Sequence, residues 1–248
     1  MITRKSAAEI ATMRRAGRVV AEVLALVEEE LRPGVSTARL DTLAEAHIRK
    51  SGATPSFKGY YGYPASLCIS IDREVVHGIP GDRVIREGQV VSVDAGAIVD
   101  GWHGDAARTF VVGDAPRPVR DLVDATRQAL EAGIAAARPG NRIWDVSAAV
   151  EDVALPRGYG VVRPYVGHGI GTSMHEEPQV PNYRTKTRGI ELAPGICLAI
   201  EPMFTLGSPE VETLGDGWTV VTSDGSIAAH WEDSIAVTDN GPEVLTRP

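Results

Sequence analysis

A chain of 248 residues, 43% hydrophobic and 23% charged, has the composition of a globular protein. At this length it buries roughly 70–75% of its unfolded surface, so neither disulfides nor a metal are needed merely to hold it together. Lys plus Arg is 25 against 33 Asp plus Glu, a formal net charge of −8, which argues against general polyanion binding, since that runs on clustered Lys and Arg.

Ser6 and Glu9 form a capping box that starts a helix. Ile10, Met13, Val20, Val23, Leu24 and Val27 then recur at helical spacing up to Leu31, and Pro33-Gly34 stops it. Glu9, Arg14, Arg15, Arg18 and Glu22 interrupt these apolar positions, so the segment is no secretory signal. No apolar run elsewhere approaches the length of a membrane span. Two cysteines, Cys68 and Cys197, exclude a disulfide scaffold and fit reduced thiols. Together these features place the chain in the cytoplasm. Thr37 caps a second helix carrying Leu40, Leu43, Ala44 and Ile48, ended by Gly52. Ser66 to Val76 reads as a strand. Gln89 to Ala97 and Trp102 to Val112 flank Asp100-Gly101, a strong hairpin signal. A third helix runs from about Val119 to Ala137, and a shorter fourth lies near Trp144 to Leu155. Thr219 to Ser223 and Ser226 to Val237 flank Asp224-Gly225 as a second hairpin. The order helix, helix, hairpins occurs twice, which predicts two similar α+β halves on one shared core. No Ser/Gly linker divides the chain, so residues 1–248 read as one domain.

The first hairpin carries the sharpest chemical inference. Around a two-residue turn at Asp100-Gly101, residues whose numbers sum to 201 face each other. Asp94 then lies opposite Ala107 and Asp105 opposite Gly96, which puts both aspartates on one face as diagonal neighbours, roughly 7–8 Å apart. Either both point to solvent, or they are buried and a cation between them offsets their repulsion. Further polar residues stand in apolar or glycine-rich surroundings. His168 lies in Gly167-His168-Gly169-Ile170-Gly171, read as a loop where glycines let backbone approach a ligand. His175 follows. Glu201 closes the apolar run Ile196 to Ile200, and Glu232 stands beside Asp233, either of which could be the buried acid. Asp94, Asp105, Glu201, Glu232 and His168 form an oxygen-rich set with one imidazole. It is wrong for structural zinc or for calcium and suits Mn, Fe(II), Co or Zn. Four carboxylates suffice to bridge two divalent ions about 3.5–4 Å apart. No nucleophile elbow, phosphate-binding loop or Cys-x-x-Cys pair offers a competing chemistry.

Seven stretches in order resemble the type I methionine aminopeptidase family: Gly62 to Ser70, Val76 to Pro80, Asp94 with Gly101 to Asp105, Gly167 to Gly171, His175 to Pro181, Ile200 to Met203, and Thr238 to Gly241. The resemblance implies the pita-bread fold, an α+β architecture of two pseudo-symmetric halves whose antiparallel sheet is covered by helices. It implies removal of the initiator Met from nascent proteins, with a small second residue preferred. It implies that Asp94, Asp105, His168, Glu201 and Glu232 ligate two divalent ions, Asp105 and Glu232 bridging both. His77 and His175 would contact substrate and the developing oxyanion, and Glu201 would shuttle the proton. Tyr60, Tyr63, Cys68 and Trp218 match positions lining the Met pocket. Phe57 and Met174 occupy pocket positions where the family often has Cys and Phe. Asp72 stands where many members have Asn, beside a turn that often holds a monovalent cation. The basic start, Arg4, Lys5, Arg14, Arg15 and Arg18, is read as a solvated helix face or as a transient ribosome contact. His47, His103 and His230 are read as structural, His103 near enough to Asp105 to support it. The reading is a monomer without an N-terminal extension domain. Its rivals are an aminopeptidase that cleaves before Pro and a non-catalytic binding protein of the same fold.

Overall fold

The computed structural model describes residues 2–248. In chain order its elements are α1 (Ala7–Glu30), α2 (Thr37–Lys50), β1 (Thr54–Pro55), β2 (Leu67–Ile71), β3 (Glu74–Val76), β4 (Val90–Val99), β5 (Trp102–Val111), α3 (Arg117–Ala136), α4 (Ile143–Ala154), β6 (Gly160–Val161), β7 (Gly167–Gly169), β8 (Glu176–Val180), β9 (Cys197–Ile200), β10 (Met203–Thr205), β11 (Val211–Thr213), β12 (Val220–Thr222), β13 (Ala228–His230), β14 (Asp233–Thr238) and β15 (Gly241–Val244).

The expected duplication appears as two helix pairs, each backed by an antiparallel sheet. In the first half α1 and α2 cover the sheet of β1, β4, β2 and β5. Val20, Val23, Val27, Leu40 and Ile48 pack there on Leu67, Ile69, Val91 and Val93. In the second half α3 and α4 lie against the five strands β15-β14-β9-β7-β8. Leu122, Leu130, Val146 and Val150 pack on Leu198, Ile200 and Ile235. Fully buried Leu and Ile side chains of this kind contribute about 1.5–3 kcal/mol each. Ser6 caps α1 as a capping box with Glu9. The α1 backbone reaches β5 at a pair of glycines, where a Cβ on Gly104 would sit 2.7 Å from the Gly17 nitrogen. No helix among the described residues is long and apolar enough to cross a membrane.

Four expectations need correction. Ser36 caps α2, accepting from Arg39 N; Thr37 is already helical, and its hydroxyl donates to Gly81 O. Ser66 to Val76 is two strands, because Asp72 takes a left-handed φ of 60° and turns the chain. The Asp72 carboxylate accepts from Val90 N and Gln89 Nε2, so this side chain serves the turn. The Asp224-Gly225 turn is present, yet its flanks part into different sheets. β12 pairs with β11 and β3, and β13 pairs with β10. The Gly167 to Gly169 segment is strand β7 between β8 and β9. Its glycines admit neighbouring backbone, since a Cβ on Gly169 would meet Glu177 O at 2.2 Å.

Candidate active site

The site lies on the seam between the two halves. There β5 runs beside the chain at 232–234. Glu232 N donates to Ala107 O, and Ala107 N donates back to Glu232 O. Asp105 N donates to Ser234 Oγ, whose hydroxyl donates to Asp105 O. These reciprocal bonds fix Asp105 and Glu232 relative to each other. The hairpin brings in the second aspartate: Asp94 pairs with Ala107 and Gly96 with Asp105, the register expected from the turn. Side chains alternate along strands, so Asp94 and Asp105 share a face.

The remaining acids and imidazoles converge on the same point. Glu201 follows β9 where the strand ends at Pro202, and its carbonyl accepts from Asn182 Nδ2. Both Glu232 and Asp233 are buried, on opposite sides of the chain: Glu232 lines the cavity, while Asp233 binds Arg108 and Arg247. His168 Nδ1 lies 2.9 Å from Gly169 O. A carbonyl only accepts, so Nδ1 carries the proton and the Nε2 lone pair is free. That lone pair is 3.8 Å from Asp105 Oδ2 and 3.6 Å from Glu201 Oε1. Ligand atoms of Asp105, His168 and Glu232 all lie within 4.8 Å of one another.

The four acids are buried close enough together to repel one another. Burial pushes all four carboxyls well above their usual range. Repulsion adds to it: Asp105 acts on Asp94 and Glu201, Glu232 on Asp105, and Glu201 on Glu232. Asp94 Oδ1, Asp105 Oδ1 and Glu232 Oε1 are buried without a hydrogen-bond partner. Among the described residues no Lys or Arg lines the cavity. Buried unpaired carboxylate oxygens are costly unless they are protonated, paired or bound to metal. The donor set, four carboxylates with one unprotonated imidazole nitrogen, fits divalent transition-metal ions. Burial lowers His168 to about 3, which keeps that nitrogen free.

A cavity of about 260 Å³ opens beside these acids. Every residue expected from the sequence lines it: Phe57, Tyr60, Tyr63, Cys68, His77, Met174, His175 and Trp218 as well as the acids and His168. Tyr61 lines it too, 86% exposed at the mouth and not anticipated. Phe57, Tyr63, Ala65, Cys68 and Met174 form one apolar cluster, with Tyr60 and Trp218 packed on it. The Tyr63 ring meets Trp218 edge-on at 5.0 Å, and its hydroxyl donates to the Leu67 and Gly78 carbonyls. Burial raises the Cys68 thiol well above its usual value, so it acts as an apolar wall. His77 holds a left-handed φ of 61°, a strained conformation for a non-glycine residue. Burial, then the nearby His175, lowers its pKa to about 4. Tyr60 Oη lies 2.8 Å from His175 Nδ1. Burial raises the Tyr60 phenol and lowers His175, so the phenol keeps its proton and donates it to Nδ1. His175 then presents Nε2–H.

Three residues read as structural have distinct fates. His103 is buried, with Nδ1 3.0 Å from Ser56 Oγ, and its amide donates to Gly171 O. His47 bonds Glu22 on the surface. His230 is buried against the acids, 3.9 Å from Glu201 and 3.8 Å from Glu232, and sequence reasoning missed it. Its one sequence signal was its place two residues before Glu232.

The profile of metallopeptidase family M24 matches residues 11–239. The chain is 51% identical over 247 residues to a methionine aminopeptidase of Clostridium acetobutylicum, covering 99% of both chains. It superposes on the crystal structure of methionine aminopeptidase from Thermotoga maritima with a TM-score of 0.98 and 44% identity, covering both chains completely. A prolidase from Pyrococcus furiosus is similar in fold alone, at a TM-score of 0.81 and 23% identity, with 99% of this chain covering 65% of that one.

Proposed function

We propose, for a chain that belongs to metallopeptidase family M24, that this site removes N-terminal methionine. The architecture is the pita-bread fold shared by the methionine aminopeptidase and prolidase structures. The protein is a metal-dependent aminopeptidase, as its full-length relatives are named. The observation that carries the reading is the apolar aromatic cavity opening directly onto the four acids and His168.

On our reading Asp94, Asp105, His168, Glu201 and Glu232 would hold two divalent ions. Mn, Fe(II), Co and Zn all suit the donors. When bound, the ions supply Lewis acidity to a water and to the first peptide carbonyl. The Glu201 carboxylate faces the same space and takes and returns the proton of the attacking water. His175 Nε2–H, fixed by the Tyr60 hydroxyl, donates to the oxygen of that carbonyl as charge develops. One such donor is typically worth about 3–4 kcal/mol. His77, neutral and held by its backbone, contacts the substrate main chain. Phe57, Tyr60, Tyr63, Cys68, Met174 and Trp218 receive the Met side chain, where aromatic and thiol walls suit a thioether.

We read residues 1–248 as one catalytic unit, a monomer working in the cytoplasm on the N-termini of nascent polypeptides. The basic start gives a ribosome contact little support. Lys5 is buried on Glu176, Arg14 pairs with Glu243, Arg15 with Asp100, and Arg4 Nε donates to Pro194 O, which leaves the exposed Arg18. A monovalent cation near Asp72 would rely on backbone carbonyls there. The test is hydrolysis of Met-Gly-Met, Leu-Gly-Met and Ala-Pro peptides by metal-loaded protein. Release of Met alone is expected; cleavage confined to the bond before Pro would replace the substrate class.

A further inference from the structure

One buried group inside the site has no task in the scheme above. His230 is 2% exposed, and its Nε2 has no hydrogen-bond partner among the described residues. That nitrogen is 3.9 Å from Glu201 Oε2 and 3.8 Å from Glu232 Oε2. The backbone that carries it is pinned. His230 N donates to Thr109 Oγ1 at 2.9 Å, and the Thr109 hydroxyl donates to His230 O at 2.6 Å. His230 also pairs with Met203, two residues beyond Glu201. The sheet therefore aims the imidazole between two carboxylates.

We propose that His230 is a positioning residue of the metal centre, its Nε2–H directed between the Glu201 and Glu232 carboxylates and donating to the one that turns toward it, so that this carboxylate is held in the orientation that grips the ions. This rests on the metal-centre reading above. A neutral imidazole carries one N–H. A bare Nε2 lone pair would face two carboxylate oxygens, ionised once cations are bound, whereas an N–H there is attracted to both. His168 shows the opposite arrangement: its proton is committed to Gly169 O on Nδ1, and its Nε2 is free to ligate. The two buried imidazoles thus carry opposite tautomers and do opposite jobs. The present separations exceed the roughly 2.9 Å of an N–H···O bond. Rotation of either carboxylate toward a bound ion is the movement that would close one of them. Partners of this kind, bonded to ligating groups, typically change metal affinity 10–100-fold when removed.

The test is calorimetric titration of chelated protein with Mn(II), together with the visible spectrum of the Co(II)-saturated protein. His230→Leu removes the donor at similar bulk, and His230→Gln keeps an N–H donor. His230→Leu should weaken binding of at least one ion 10–100-fold, and His230→Gln should restore it to within a few-fold of wild type. The Co(II) ligand-field bands should be unchanged in saturated His230→Gln, because no donor atom leaves the ions. Wild-type affinity in His230→Leu would overturn the proposal. Altered bands with no rescue by Gln would also overturn it, by making His230 a ligand. If His230→Leu does not fold, His230→Ala against His230→Gln gives the same comparison. Wild-type protein that bound no divalent ion would sink the metal-centre reading itself, a result distinct from failure of the His230 role.

Discussion

Replacing Arg108 by Met should weaken both the fold and the metal centre, because this guanidinium holds the chain behind Glu232. Asp233 is wholly buried. Its Oδ1 accepts from Arg108 Nη2 at 2.6 Å and from the Thr246 hydroxyl at 2.8 Å, and its Oδ2 accepts from Arg247. Arg108 Nη1 also donates to the carbonyls of Ala107 and Glu232, the residues that stitch the two halves. Breaking a buried ion pair from one side costs roughly 3–5 kcal/mol when the other charge is left alone. Here Arg247 remains on Asp233, which moves the expected loss to the lower end, about 3 kcal/mol. Arg247→Met should cost less, because that side chain is 37% exposed and water screens its pair, against 16% for Arg108. Urea unfolding of chelated protein, followed by tryptophan fluorescence, reads both losses as shifts in midpoint. Metal affinity should fall with Arg108→Met, since the Glu232 backbone loses its clamp. A loss below about 1 kcal/mol for Arg108→Met, or a larger loss for Arg247→Met, would refute the reasoning.

Other perturbations test the same account. Gly17→Ala gains about 1 kcal/mol of helix propensity, yet its Cβ would lie 2.1 Å from Leu245 O. Overpacking of about 1–3 kcal/mol should win, so the melting temperature should fall; a rise would contradict the packing. Metal-free Glu232→Gln should be more stable than metal-free wild type near pH 7.5. Burial and neighbouring acids raise the folded pKa of Glu232, so the folded state holds a proton that the unfolded state has released, and stability drops as pH rises above the unfolded value. The gain should vanish toward pH 4, where both states are protonated, and lower stability for the variant at pH 7.5 would show that the acids do not repel. His103 works in the other direction. Its pKa is about 4 when folded, lowered chiefly by burial, against 6.5 unfolded, so its contribution is present above pH 6.5 and is lost as pH falls toward 4. The stability difference between wild type and His103→Gln should therefore shrink between pH 7 and pH 5, as read by thermal melts, and a difference constant over that range would place a charged imidazole in the folded state.

The first hairpin was legible because a two-residue turn fixes register arithmetically, and Asp94↔Ala107 with Gly96↔Asp105 is what the strands show. The α1 cap was equally local: Ser6 and Glu9 bond each other within one turn. The Asp224-Gly225 segment was misread because a turn dictates a reversal and nothing about which partner each flank finds. Val221 pairs with Glu74 and Ala229 with Phe204, both far along the chain. Glycines around His168 signalled close approach correctly, but the approaching group is the backbone of β8 and β9. The basic start is the solvated face it was read as at Arg4, Arg15 and Arg18, and departs from that reading at Lys5, which is buried on Glu176, 171 residues away. His230 stayed hidden for a related reason. A lone His in an apolar strand looks like core until β10 and β13 bring it over Glu201 and Glu232. The cavity residues were found through resemblance, since aromatic residues at 57, 60, 63 and 218 carry no shared period.

The central claim is that two divalent ions held by Asp94, Asp105, His168, Glu201 and Glu232 drive release of N-terminal Met. The direct measurement is Met release from Met-Gly-Met by chelated protein as each divalent ion is returned in equivalents, with Asp105→Ala and Glu232→Ala beside wild type. The account predicts activity that rises with added metal in wild type and none in either variant, while both variants keep the wild-type circular dichroism spectrum. Undiminished turnover in chelated wild type, or metal-driven turnover retained by a folded Asp105→Ala protein, would contradict it.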